Sequence, residues 1–172
     1  MTPRPAPQQY DALDPASEPV LELRHLPITH PAADPLLRAL EADYAERYGS
    51  LADGEMTLFE PDEFAPPHGA FVLLFEDGEA IAGGAYRRYD DHTAELKRIW
   101  THTAHRRRGL ARRVLEALEH SATTRGYHRL YLTTGPRQPE AVGLYLSTGY
   151  TPLFDVDEPP FAPLPFEKAL VA

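Results

Sequence analysis

"AELKRIWTHTAHRRRGLARRVLEALEH", from Ala94 to His120, decides the reading of this chain. It opens with the apolar and polar alternation of a strand and stops at His105, Arg106, Arg107 and Arg108. Gly109 follows. Leu110, Val114, Leu115 and Leu118 then recur at helical spacing as far as Gly126. A strand, a tight loop and a helix in succession make an anion site. The first N–H groups of a helix have no internal partner, and the macrodipole adds partial positive charge there. Glycine lets a phosphate approach the backbone, and arginines at the rim add charge-assisted hydrogen bonds. The loop carries neither the Walker glycine pattern nor a dinucleotide fingerprint. These residues alone leave three readings open: a pyrophosphate, a nucleic acid, or arginines that are simply solvated.

The rest of the chain argues against nucleic acid. Its 172 residues carry a formal net charge of −9, the opposite of a basic footprint. There is no cysteine, which excludes disulfides, a thiolate nucleophile and a zinc site built on sulfur. His102 and His105 stand three apart without a third ligand at metal spacing, so no metal is expected. No run of about 18 apolar residues suggests a transmembrane helix. The opening "MTPRPAPQQYDALDPASEP" has no apolar segment, so a cytoplasmic location is expected. Residues 1–19 read as a disordered Pro-rich tail and residues 20–172 as a single domain.

Within that domain, "VLELRHLP" predicts a first strand. Asp34 is placed to cap a helix with Pro35 in its first turn, and Leu36, Leu37, Leu40, Tyr44 and Tyr48 recur at helical spacing before Gly49. Residues 50–68 predict a short helix and a loop. "AFVLLFEDGEAIAGGAYRRYDDHTAELKRIWTH" predicts three antiparallel strands, with turns at Asp77-Gly78 and at Asp90 to His92. Gly83-Gly84 marks a bulge or a close backbone approach. Beyond the helix come the strand "HRLYLTT", a short helix from Pro139 to Gly149, the strand "YTPLF" and a final strand from Phe166 to Val171. The fold class is a mixed α/β domain.

The quoted stretch resembles motif A of the GNAT superfamily, the acyl-CoA-dependent N-acetyltransferases. Arg106-Arg107-Arg108-Gly109-Leu110-Ala111 fits that family's R/Q-x-x-G-x-G/A signature. "QPEAVGLYLSTGYTPL" resembles its motif B, through Gln138, Ala141, Leu144, Tyr145, Gly149 and Tyr150. The departures are Thr103 where the family often has Pro, Arg107 and Ala111 where it often has Gly, and Gln138 for the commoner Asn. The resemblance covers roughly residues 20–171. It implies a largely antiparallel sheet of about six or seven strands, flanked by about four helices and splayed into a V-shaped cleft.

The same resemblance implies acetyl-CoA as co-substrate, bound along Ile99, Trp100 and Thr101 and by the loop Arg106, Arg107, Arg108, Gly109, Leu110, Ala111 and Arg112, with Gln138 and Tyr145 nearby. The N–H near Ile99 would face the acetyl carbonyl, where electrostatic catalysis acts most strongly. Tyr145 would be the general acid toward the CoA thiolate, since a phenol arrives protonated at neutral pH. Its other reading is a core aromatic. Glu95 would be the general base toward the amine, directly or through water; its other readings are a carboxylate paired with Lys97 or an arginine, or a group that binds the substrate ammonium. The acceptor is expected to be a primary amine on a small molecule or peptide. Neither nucleic acid nor membrane is expected as partner, and the chain would be a monomer or homodimer. A non-catalytic acyl-CoA-binding module is the competing reading. Residues 49–68 and 155–165 are expected to shape the acceptor pocket. Glu41, Asp43, Tyr44 and Tyr48, on the helix bordering it, read as a solvated acidic face, their other reading being contact with a cationic substrate; Arg87 and Tyr89 are similar weak candidates.

Overall fold

Two tight turns set the architecture of the computed structural model, which describes residues 18–171. Asp77 and Gly78, both at positive φ, fold β2 (Ala70–Glu76) onto β3 (Glu79–Arg88). Asp90 accepts the backbone N–H groups of His92 and Thr93 and so turns β3 into β4 (Thr93–Thr101). β1 (Leu21–His25) pairs antiparallel with β2. After β4 the chain crosses through α2 (Leu110–Thr124) to β5 (Arg129–Thr134), and this connection makes β4 and β5 parallel. α3 (Pro139–Ser147), β6 (Thr151–Pro152) and β7 (Leu164–Ala169) complete the chain. The seven strands lie in the order β1-β2-β3-β4-β5-β7-β6, and every pair except β4–β5 is antiparallel. The tail expected over residues 1–19 falls almost wholly outside the described residues.

Helices cover both faces. α1 (Asp34–Tyr48) lays Leu36 and Leu40 against Phe71, Leu73 and Trp100 on one face. α2 lays Val114, Leu115 and Leu118 against Val72, Tyr86 and Leu130 on the other. With both faces covered, β2 reads as a continuous apolar run.

Some boundaries differ from expectation. The described residues form three α-helices rather than about four. Residues 50–68 supply 3-10 turns instead, because Gly49 and Gly54 adopt positive φ and Pro61 and Pro66 interrupt any longer helix. Asp34 is the first residue of α1 rather than its cap, since the 3-10 turn Pro31–Ala33 leads directly into it. The strand expected over "YTPLF" shortens to Thr151–Pro152, and β7 starts and ends two residues earlier than predicted.

Two features position the cleft. β4 pairs with β5 only through Thr93↔Arg129, Ala94↔Leu130 and Glu95↔Tyr131, yet β4 runs on to Thr101 and β5 to Thr134. Beyond those three pairs the strands splay apart. On the other side of β4, the register passes from Gly83↔Trp100 to Ala85↔Lys97. Arg98 and Ile99 therefore stand opposite the single Gly84, a β-bulge with Arg98 at φ 63. Gly84 gives the α2 packing its room: a Cβ there would press on the Ile99 Cδ1, Val114 Cγ1 and Leu118 Cδ1 methyls, which would have to shift.

Candidate active site

The open half of β4 carries Ile99, Trp100 and Thr101. Trp100 is buried on the α1 face and Ile99 packs toward α2, so both side chains are anchored in the two cores. The strand edge facing β5 is left open by the lost pairing.

The loop that follows is built for an anion. Arg107 (φ 62) and Gly109 (φ 73) both take left-handed backbone conformations, and the space where a Gly109 Cβ would stand is empty to 4 Å. The N–H groups of residues 106–109 find no backbone or side-chain acceptor among the described residues, and those of the first turn of α2 have none by helix geometry. Successive N–H groups turned this way form a concavity for phosphate-like groups. Leu110 is buried and pins the helix start, while Ala111 is partly covered.

The arginines divide. Arg106 and Arg107 are exposed and bond no described residue. Arg108 turns away: its guanidinium bonds Glu76 at 2.5 and 3.1 Å and His105 Nδ1 at 2.7 Å. This contact holds the Glu76 carboxyl below its ordinary range. Arg112 reaches the carbonyl of Ser147 at 3.2 Å and ties α2 to α3. Nothing in the sequence marked Glu76, which lies 32 residues before Arg108, as a competitor for this side chain.

Tyr145 is 6 % exposed, in edge and tilted contact with Tyr150 and Phe166. Its hydroxyl bonds no described residue. Burial, reinforced by the nearby Tyr44 phenol, holds that hydroxyl well above the ordinary tyrosine value. It is therefore protonated at neutral pH. The contacts of its ring are those of the core-aromatic reading.

Glu95 occupies the last paired position before the splay and is also 6 % exposed. Arg87 Nη1 bonds its carboxylate at 2.7 Å and Lys97 Nζ at 3.2 Å. Arg87 also reaches Glu63 at 3.1 Å, and Arg87 and Lys97 both lie over the Phe59 ring. Gln138 accepts the N–H of Gly135 through Oε1 at 2.9 Å and staples the turn between β5 and α3.

A cavity of about 290 Å³ opens beside this turn, with Tyr44, Tyr48, Glu55, Gln138 and Phe161 among its walls. Both segments expected to shape a pocket reach it, through Leu51 and Glu55 and through Phe161 to Pro163. Tyr44 and Tyr48 continue the Leu36–Leu40 stripe of α1 out of the core and into this wall. The solvated-face reading therefore fails for them, although Glu41 is exposed as expected. Burial and the charge of Glu55 push the Tyr44 phenol up to about 12. A clasp closes one side: Arg47 Nη1 bonds the carbonyl of Arg137 at 2.7 Å and Arg137 Nη1 that of Arg47 at 2.6 Å. Gly135 makes room for the Tyr48 hydroxyl, which accepts the Arg137 N–H and which a Cβ at residue 135 would strike. Arg98, Glu55 and the clasp were not legible in the sequence. The only signal was Gly83-Gly84, which marks the bulge but not the residue across it.

A sequence model of the acetyltransferase (GNAT) family matches residues 35–150, which span the stripe of α1, the splayed strands and both motifs. The chain belongs to the GNAT family. It is an acetyl-CoA-dependent acyltransferase by that membership. The chain is 37 % identical over 119 residues to the uncharacterized N-acetyltransferase YsnE of Bacillus subtilis, covering 61 % of this chain and 79 % of that protein. Among solved structures, the PaiA N-acetyltransferase of Thermoplasma acidophilum in complex with coenzyme A superposes with a TM-score of 0.68 at 16 % identity, over 87 % of this chain and 99 % of that one. A GNAT acetyltransferase of Elizabethkingia anophelis with acetyl-CoA bound gives a TM-score of 0.63 at 18 % identity, over 87 % and 98 %. At those identities the match is one of fold, and the largely antiparallel splayed sheet is the GNAT fold. Among the described residues no group of three or more metal-ligating side chains comes together, and no helix is long and apolar enough to cross a membrane.

Proposed function

We propose that this GNAT protein transfers an acetyl group from acetyl-CoA to a primary amine by direct attack, with Tyr145 as general acid. The observation that carries the reading is the single stretch of open backbone along the cleft. The free edge of β4 at Ile99 to Thr101 leads into the unpartnered N–H groups of residues 106–112. A pantetheine arm fits the former and a pyrophosphate the latter. Arg106 and Arg107 supply the rim charge, while Arg108 and Arg112 serve by holding the loop and helix in place.

When bound, acetyl-CoA supplies an activated acetyl thioester: the amine nitrogen bonds the acetyl carbon and the carbon–sulfur bond breaks. The chain's own groups move the protons. The Tyr145 hydroxyl gives one to the departing sulfur. The amine loses one through water toward Glu95. Arg87 and Lys97 already draw on that carboxylate, so its share in the rate is the smaller. The cavity beside Tyr44 and Glu55 receives the amine, because it is the concave space at the unpaired end of β5, where Thr133 and Thr134 line it.

The test is calorimetric titration of acetyl-CoA into the wild type and into Arg106→Ala, with thiol release then measured across a panel of primary amines. Micromolar binding that weakens in the variant, followed by turnover of an amine, is expected. Binding without turnover of any amine would favour a non-catalytic acyl-CoA module. No binding near millimolar cofactor would overturn the reading altogether.

A further inference from the structure

Arg98 is the point where the structure is least satisfied. Among the described residues, its Nε is the one buried side-chain nitrogen or oxygen without a hydrogen-bond partner, and the residue is 6 % exposed. Its other nitrogens bond one residue only: Nη2 bonds the carbonyl of Met56 at 3.0 Å and Nη1 faces the Met56 sulfur at 2.9 Å, while the guanidinium carbon lies 5.9 Å from the centre of the Phe64 ring. A thioether is a weak acceptor. No carboxylate of the described residues reaches the guanidinium at ion-pair distance. A cation buried without a counter-charge is costly, and a guanidinium cannot escape by losing its proton. Arg98 also holds a left-handed backbone conformation, φ 63, which a long side chain seldom adopts. Strain of this kind persists where the surrounding structure enforces it, and here the bulge opposite Gly84 does so.

Arg98 and Met56 stand behind the wall of the acceptor cavity rather than in its lining. Tyr44 and Glu55 both line that cavity, and both act on the charge of Arg98. Glu55 makes no ion pair with any described residue. An acid and a base thus stand near one cavity, too far apart to bond each other. Met56, next to Glu55, is only partly buried and has a flexible side chain that can give way.

We propose that Arg98 and Glu55 select an amine that also carries a carboxylate, of the α-amino-acid type: Arg98 takes the carboxylate in place of Met56, and Glu55 faces the ammonium. An α-amino acid presents both charges within a few ångströms and fits a cavity of about 290 Å³. The proposal rests on the acetyl-transfer reading and adds the acceptor's chemical class. If Arg98 only ties the Met56 turn to β4, the enzyme is indifferent to a carboxylate on its acceptor.

The experiment measures kcat/KM for the twenty α-amino acids. For the best of them it is repeated with the α-carboxamide and with the decarboxylated amine. A charge-assisted contact predicts that the acid is preferred by roughly 10- to 100-fold over both. In Arg98→Gln the preference should fall to within roughly threefold, and in Arg98→Lys part of it should survive, with acetyl-CoA affinity measured alongside to show that the fold is intact. A wild type that turns over the amide or the decarboxylated amine as well as the acid overturns the proposal and leaves acetyl transfer standing. So does Arg98→Gln protein that keeps the full preference. Failure of the wild type to bind acetyl-CoA removes the acetyl-transfer reading, and the acceptor proposal with it. The wild-type arm needs no variant, so a misfolded Arg98→Gln protein does not shelter the idea.

Discussion

The two ends of one strand, β4, are left in opposite conditions. At Thr93 to Glu95 the strand is paired on both sides, and the Glu95 carboxylate is consumed by Arg87 and Lys97. Past the bulge, one edge of the strand has no partner and Arg98 holds a nitrogen that nothing accepts. Where the ladder closes, polar groups satisfy one another. Where it opens, they are left with unused bonding capacity, and that is where a substrate is to be sought.

The largest effect should come from the open end. Tyr145→Phe removes a proton donor and little else, so kcat should fall by roughly 10²- to 10⁴-fold. Calorimetry should find acetyl-CoA affinity nearly unchanged. The Tyr145 phenol is held above its ordinary value by burial, so the pH profile of the wild type should show no falling limb from this group below pH 10. A matching loss of cofactor affinity would make Tyr145 a packing residue instead. At the closed end, Glu95→Gln leaves Arg87 and Lys97 without their shared counter-charge. Urea unfolding should then show a loss of about 2 kcal/mol, and kcat should fall less than in Tyr145→Phe. A larger kinetic than structural effect would promote Glu95 to principal base.

A smaller effect is tied to alkaline pH. The native Tyr44 phenol is pushed up to about 12, above an unfolded value near 10. Its contribution is whole below pH 10 and is lost as pH rises toward 12, because the unfolded chain ionises first. Tyr44→Phe cannot lose it. Between pH 9 and 11 the wild type should therefore lose about 1 kcal/mol more stability than the variant. The smallest contrast lies in the loop. Arg106→Ala should weaken acetyl-CoA roughly tenfold, and more at low salt, by removing one charge-assisted contact. Arg108→Ala should weaken it less, since that guanidinium is spent on Glu76.

The legible part of this fold was local. Asp77-Gly78, the stripe of α2 and the two motifs each write their structure within about twenty residues of sequence. The antiparallel run from β2 to β4 and the strand-loop-helix succession after it followed from them. The rest depends on partners far away in the chain. Arg108 was placed with the phosphate residues because Glu76 is in another strand. Tyr44 was placed on a solvated face because the helix stripe does not reveal where the core beneath it ends. Arg98 sits in an unbroken strand pattern, and only pairing against Gly84 shows that the pattern slips there.

The three rungs that join β4 to β5 make the sheet two blocks sharing one narrow hinge, four strands on one side and three on the other. Each block has its own continuous ladder, and little backbone bonding opposes a change in the angle between them. A molecule lying in that wedge completes the missing ladder and fixes the angle. The acceptor cavity is walled by Tyr44 from the first block and Thr133 from the second, so on the reading proposed above a cofactor in the wedge would set how far apart those walls stand.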